Sequence, residues 1–407
     1  MARAPSPASE RRGITHCLLP ITYFQSLLSR YTFLALIMAL KSANELRLQV
    51  GQLLIMGFDG VEVSSRLRTT LSTLQPGGII LFRRNIEAAD QTYALNRECH
   101  SYLRTPPFLS VDLEGGTVDR FRDLIAPMPS VADVVAAGQK KLLRKHGLLL
   151  GAECRTLGFN TDFTPCLDLR LPPSLNVMTS RTISPSSKET VAGAREILRG
   201  LHDCYILSCG KHFPGLGEGR LDSHKGMPEI MKPLKRLWEE DLYPYRELKR
   251  QLPFVMVCHA SYPAVTGDRT PASISRKWIT DILRKKIGYK GLIVTDDLEM
   301  GGIQEALPVE QAAVEAIRAG CNLFIVSRQE ELVWRTYENV VRNAEKDKRF
   351  ADLVRNAAKR VTSFKKRAGE FKKRPKPPSA KSIDSLRRKI WEFTEEIRLD
   401  SDAARTA

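Results

Sequence analysis

GLIVTDDLEM, residues 291–300, runs from a glycine through Leu292, Ile293, Val294 and Thr295 into two carboxylates, Asp296 and Asp297. A strand with one face in water alternates apolar and polar residues. This run does not alternate, so it reads as a strand buried on both faces, the condition of a parallel sheet covered by helices. Seven more runs share its character: QLLIMGF (52–58), GGIILF (77–82), FLSVD (108–112), TDFTPC (161–166), YILSCG (205–210), FVMVCH (254–259) and LFIVS (323–327). With 292–296 they make eight strands.

Helical patterns lie between them. Val63, Leu67, Leu71 and Leu74 form one apolar stripe. RTLGFN (155–160) reads as a helix end with Gly158 in the left-handed position beyond it. ISRKWITDILRKKIGYKG (274–291) shows a serine cap, a stripe through Trp278, Ile282 and Leu283, a basic last turn and Gly288 as terminator. Eight strand-then-helix units predict an α/β fold, a (β/α)8 TIM-like barrel forming a single catalytic domain. An open doubly wound sheet is the competing topology, but no Gly-x-Gly-x-x-Gly follows the first strand. Residues 44–365 are expected to form the barrel, 1–43 an N-terminal extension and 366–407 a basic C-terminal extension with a short helix. A barrel places functional side chains at the C-terminal strand ends. Asp112 ends the third strand, Lys211 and His212 follow the fifth, His259 ends the sixth and Asp296 the seventh, with Asp297 opening the next loop.

Of the 407 residues, 43% are hydrophobic and 27% charged, the balance of a globular protein large enough to bury a substantial core. The formal net charge of +17 is partly terminal. KRVTSFKKRAGEFKKRPKPPSAK (359–381) is a basic run that reads as a solvated helix end and linker, with nucleic-acid attachment as the rival. No zinc-finger spacing or aromatic RNA-binding motif accompanies it, so no nucleic-acid partner is expected. Eight dispersed cysteines without a Cys-x-x-Cys pair indicate neither a disulfide framework nor a zinc site and point to a reducing, cytoplasmic setting. Against that, YTFLALIMAL (31–40) resembles a signal-peptide core, although no small-x-small cleavage site follows. Ten residues are too few to span a bilayer. A start at Met38 is the other reading of this region.

KHFPGLGEGRLDSH (211–224) admits three chemistries. A metal site from His212, His224 and His259 lacks any close ligand spacing. A phosphate cradle needs Gly-Lys-Ser/Thr opening a helix, and Arg-Leu-Asp-Ser-His follows here. The glycines then read as a mobile loop carrying Asp222-Ser223-His224. In an extended segment Asp222 and His224 project to the same side, so the carboxylate can orient the imidazole and stabilise its charged form. An acid/base on a loop calls for an opposing carboxylate, and Asp296 at the end of its strand supplies one. That pairing is the requirement of a retaining glycosidase, with histidine in place of one carboxyl. VDLEGGTVDRF (111–121) adds Asp112 to accept from sugar hydroxyls and Arg120 to donate.

Taken together, VDLEGG, KHFPGLG with DSH, VMVCHASYPAV and GLIVTDDLEMGGI resemble the family 3 glycoside hydrolases in order and spacing. The resemblance is greatest to the bacterial single-domain β-N-acetylglucosaminidases of peptidoglycan recycling, and covers roughly residues 44–345. It implies a barrel that hydrolyses terminal N-acetyl-β-D-glucosaminyl residues with retention, with no metal or other cofactor. It further implies Asp296 as nucleophile, His224 as general acid/base and Asp222 as its partner. Sugar binding falls to Asp112, Arg120, Lys211, His212 and Arg181, the last in SRTISPSSKETV. This chain departs from the family in four places. Thr182-Ile183 replace a small-plus-aromatic pair, Leu216 stands where a second histidine is common, and Thr117 where arginine is frequent. A monomer acting on N-acetylglucosamine-containing glycans is expected. The competing activities are a family 3 β-glucosidase or β-xylosidase, a phosphorylase, and a barrel that binds glycans or nucleic acid without catalysis.

Overall fold

The computed structural model describes residues 43–178, 180–223, 225–373 and 375–406. The 31–40 run and Met38 lie outside these residues. Leu46–Ala407 form one compact unit.

All eight expected strands are present: β1 Leu54–Met56, β2 Gly78–Ile80, β3 Phe108–Val111, β4 Thr161–Asp162, β5 Leu207–Phe213, β6 Phe254–Val257, β7 Leu292–Asp297 and β8 Leu323–Val326. Every neighbouring pair is parallel, and β1 also pairs with β8, which closes the barrel in sequence order. Alternate residues divide between two cores. Ile55, Phe108, Leu207, Cys209, Met256, Leu292 and Val294 fill the barrel. Their neighbours Leu54, Met56, Val111, Val255 and Ile293 meet the helices outside. This period of two explains why both faces of each strand are apolar.

Two strands run further than expected. Lys211 and His212 lie within β5, where the backbone ladder continues: Lys211 donates its amide to Pro165 O at 3.3 Å and its carbonyl accepts from Leu167 N at 2.6 Å. Asp297 closes β7 opposite Ile325 instead of opening a loop. Hydrophobicity marks where a strand faces core, and the backbone pairing of these polar residues continues beyond it.

Outside the barrel, Ser64 caps helix Ser65–Leu74 by accepting from Leu67 N, and Leu67, Leu71 and Leu74 are buried, with Val63 just before the cap. Helix Lys140–Thr156 ends ahead of Gly158 at φ +88°. Residues Lys277–Lys286 bury Trp278, Ile282 and Leu283 as expected but wind as a π-helix. The expected serine side-chain cap is absent there; the Ser275 carbonyl takes the Ile279 amide at 3.0 Å instead.

The N-terminal end of the barrel is plugged from the C-terminal part of the chain. Helix Lys348–Arg367 and the turn after it bring Phe364 and Phe371 to within 6.2 and 5.6 Å of the Phe108 ring. Lys365 enters this apolar plug, donating to Gly77 O at 2.6 Å and Gln52 Oε1 at 3.2 Å. Beyond it stands a helix of 27 residues, Ala380–Thr406, longer than the short one expected. Its buried stripe of Leu386, Ile390, Phe393 and Ile397 packs on helices Val131–Ala136 and Lys140–Thr156.

Candidate active site

The alternation that fills the barrel also builds its mouth. On β3, Phe108 and Ser110 lead by twos to Asp112; on β5, Leu207 and Cys209 lead to Lys211; on β7, Leu292 and Val294 lead to Asp296. All three therefore project inward at the C-terminal end. There they line a cavity of about 660 Å³, counting the solvent at its mouth, with Arg120, Arg181, His212 and Asp222. Seven of the eight expected site residues meet at this one cavity. The eighth, His224, lies outside the described residues.

Lys211 organises the floor. Its side chain is 2% exposed, and its Nζ sits 2.7 Å from Asp112 Oδ1 and 2.7 Å from Glu114 Oε1. Removing an ammonium from water costs several kcal/mol unless opposite charge meets it closely. Burial lowers the Lys211 affinity for its proton, but Asp112 and Glu114 outweigh burial and raise it. Glu114 is buried as well; burial would raise its carboxyl, yet Arg181 and Lys211 hold it well below the usual carboxylate range. Arg181 grips Glu114 with both arms, Nε to Oε2 and Nη2 to Oε1, each at 2.8 Å. Such a fork fixes both position and plane.

The same Arg181 Nη2 lies 3.3 Å from His212 Nε2, while His212 Nδ1 lies 2.7 Å from Asp168 Oδ2. A proton on Nε2 would confront the guanidinium, so Asp168 selects the tautomer with the proton on Nδ1. Asp168 is fully buried and also accepts from the His212 and Leu216 amides at 3.2 and 2.7 Å. Burial would raise its carboxyl; His212 and these donors hold it low. Asp112, Lys211, Glu114, Arg181, His212 and Asp168 thus form one continuous polar chain across three strands. Asp112, 19% exposed, is its open end.

Glu114 and Asp168 were given no role by sequence reasoning. Their signal was a carboxylate among apolar residues just beyond a strand, in VDLEGG and in TPCLDL. Such residues are rarely buried unless paired. Arg120 lines the cavity with its buried Nε lacking a hydrogen-bond partner among the described residues. Asp296 Oδ1 accepts from the Asp297 amide at 2.9 Å, which sets the plane of its carboxylate. Asp297 itself bonds Ser327 and does not line the cavity; burial raises its carboxyl to about 7, with Asp296 and Glu299 adding to the rise. His259 does not reach the cavity either. It bridges Ser273 Oγ at 2.8 Å and Asp297 O at 2.9 Å, bracing the end of β7.

The first glycine of the loop after β5 is required by backbone conformation and packing. Gly215 has φ +137°, and a Cβ there would stand 2.7 Å from Asp241 Cβ. Ser223 is buried, and its carbonyl accepts from Gly302 N at 3.0 Å, tying the loop to the chain beyond β7. Among the described residues, Cys166, Asp168 and His212 are the one group of donors close enough to share an ion. Their atoms already bond one another, Nδ1 to Oδ2 at 2.7 Å and Sγ to Oδ2 at 3.3 Å. At that spacing they satisfy each other instead of surrounding a tetrahedral centre.

A closed parallel barrel with carboxylates and cations converging at its C-terminal mouth defines a (β/α)8 enzyme scaffold. Residues 45–364 match the glycosyl hydrolase family 3 N-terminal domain, and the chain belongs to that family. A β-hexosaminidase of Alkalilimnicola ehrlichii is 35% identical over 287 residues, covering 69% of this chain and 82% of that one. A β-hexosaminidase of Chromobacterium violaceum is 38% identical over 280 residues, covering 67% and 77%. The solved family 3 β-N-acetylglucosaminidase of Paenibacillus sp. str. FPU-7 is similar with a TM-score of 0.78 at 30% identity, covering 85% of this chain and 68% of that one. The family and fold expected from the four motifs are those found.

Proposed function

We propose that the chain hydrolyses terminal N-acetyl-β-D-glucosaminyl residues with retention, acting on muropeptide-like or chitin-derived glycans. The observation that carries this reading is the convergence of Asp112, Lys211 and Asp296 on one cavity, beside relatives named as β-hexosaminidases. Asp296 attacks the anomeric carbon and forms a glycosyl ester as the C1–O bond breaks. His224 delivers a proton to the departing oxygen, then removes one from the water that cleaves the ester. Asp222 steadies the imidazolium. Asp112 and Lys211 take adjacent sugar hydroxyls, with Arg120, Arg181 and His212 completing the contacts. Residues 44–365 carry the reaction, as a monomer. Seven described cysteines are free thiols, six of them buried, which supports a reducing cytoplasmic setting. No helix among the described residues is long and apolar enough to cross a membrane.

The test compares aryl N-acetylglucosaminide with aryl glucoside, with and without phosphate. Fast release from the first alone, giving free N-acetylglucosamine in both buffers, is expected. Asp296→Ala should abolish turnover, and His224→Ala should impair poor leaving groups far more than activated ones. Full activity of Asp296→Ala, or a sugar phosphate as product, would overturn the assignment.

A further inference from the structure

A second cavity opens at the N-terminal end of the barrel, opposite the candidate active site. It encloses about 1840 Å³, counting the solvent at its mouth, and five cationic side chains line it against one carboxylate, Glu370. The cationic groups are Arg199, Lys249, Arg250, Lys290 and Arg367, with Leu198, Ile206, Leu252 and Phe364 forming an apolar floor. Among the described residues the active-site cavity has the opposite balance, four carboxylates against three cations.

Helices end at this face of a barrel, and cations near helix C-termini are ordinary partners of the last carbonyls. Lys249 plays that part, donating to Ile287 O at 2.8 Å, and Arg199 pairs with Glu196 one turn away. Arg250, Lys290 and Arg367 are different. They come from three separate segments, and among the described residues their side chains have neither a hydrogen-bond acceptor nor a carboxylate. Three cations without a partner among the described residues, set around an apolar floor, concentrate positive potential where a ligand's body can also be buried. A simple phosphate would use the rim and leave the floor wet. A membrane or nucleic acid would use the rim across a broad surface without entering the hollow.

We propose that this cavity binds a small organic polyphosphate, of the nucleoside diphosphate class, with its phosphates on Arg250, Lys290 and Arg367 and its planar body against Phe364. The proposal is independent of the reaction at the other end of the barrel.

Calorimetric titration of the full chain with ADP, and separately with inorganic pyrophosphate, tests it. ADP is expected to bind, more tightly than pyrophosphate, and to weaken as salt rises from about 0.05 M to about 0.3 M. Arg250→Glu with Lys290→Glu should weaken ADP roughly tenfold or more, as loss of two charge-assisted contacts requires. Both positions are exposed, and unchanged hydrolysis by the double variant would show that it is folded. No binding of ADP at about 1 mM in low salt, binding unaffected by the double substitution, or pyrophosphate binding as tightly as ADP would each overturn the proposal. So would preference for single-stranded RNA or for anionic vesicles over ADP in direct competition.

Discussion

Lys365 is a lysine placed where a methionine would be easier to bury. It is 4% exposed among Phe108, Phe364 and Phe371, and no carboxylate pairs with it among the described residues. Burial pushes its pKa from 10.5 down to about 7. At about 1.4 kcal/mol per pH unit, holding the ammonium fully charged in the native state would cost about 4–5 kcal/mol. The sign follows from proton counts: between these two values the unfolded chain binds more protons than the native one, so stability rises with pH. Near pH 7 the native amine is half protonated and about 4 kcal/mol of the penalty stands; by about pH 10 roughly 1 kcal/mol remains. Lys365→Met removes the penalty and forfeits two hydrogen bonds, to Gly77 O and Gln52 Oε1, at about 1 kcal/mol each. The variant should therefore be about 2 kcal/mol more stable than the parent near pH 7 and about 1 kcal/mol less stable near pH 10. Urea unfolding followed by tryptophan fluorescence at both pH values, each verified by refolding, measures the difference. A gap that stays constant across the window would refute the reasoning, because pH-independent packing effects cannot produce the crossover.

Asp168→Asn keeps the size of the side chain but replaces one acceptor oxygen with a donor, so His212 loses the partner that fixes its Nδ1 proton. A loss of roughly 30- to 150-fold in kcat/KM is expected, equivalent to about 2–3 kcal/mol. An altered pH profile should accompany it, whereas a fall in Tm alone would assign Asp168 to stability. Phe393→Ala empties a fully buried position that stacks on His146 at 6.2 Å, and should cost about 3–5 kcal/mol. Faster limited proteolysis around residues 372–379, with kcat preserved, is the expected signature of loosening the C-terminal helix. Loss of kcat in the folded variant would instead make that helix part of the catalytic unit.

The barrel was legible because each of its strands is buried on both faces and so announces itself as an apolar run. Asp112, Lys211 and Asp296 were legible for the complementary reason, as polar residues where such a run stops. The same contrast hid where β5 and β7 end, since His212 and Asp297 are strand residues by backbone pairing while their side chains leave the core. Glu114 and Asp168 were harder. Their importance lies in Arg181 and His212, 67 and 44 residues away in sequence. Only the closed barrel brings these together. The C-terminal extension reads as basic because of the run that ends at Lys381, and that charge drew attention from the stripe of Leu386, Ile390, Phe393 and Ile397 at helical spacing on a helix whose own charges balance.

The polar chain from Asp112 to Asp168 has a consequence for how the protein can change. Each member bonds its neighbours, so exchanges within the chain are coupled, and the effect of two together is not the sum of the two alone. The walls around this floor carry no such obligation. Val118, Val177, Leu216 and Leu221 line the same cavity, and none has a side-chain bond to lose. Changes in the cavity's selectivity can therefore arise one residue at a time from the walls, while the polar floor is left intact. Leu216, buried beside the polar floor, is the position at which a library aimed at altered selectivity would begin.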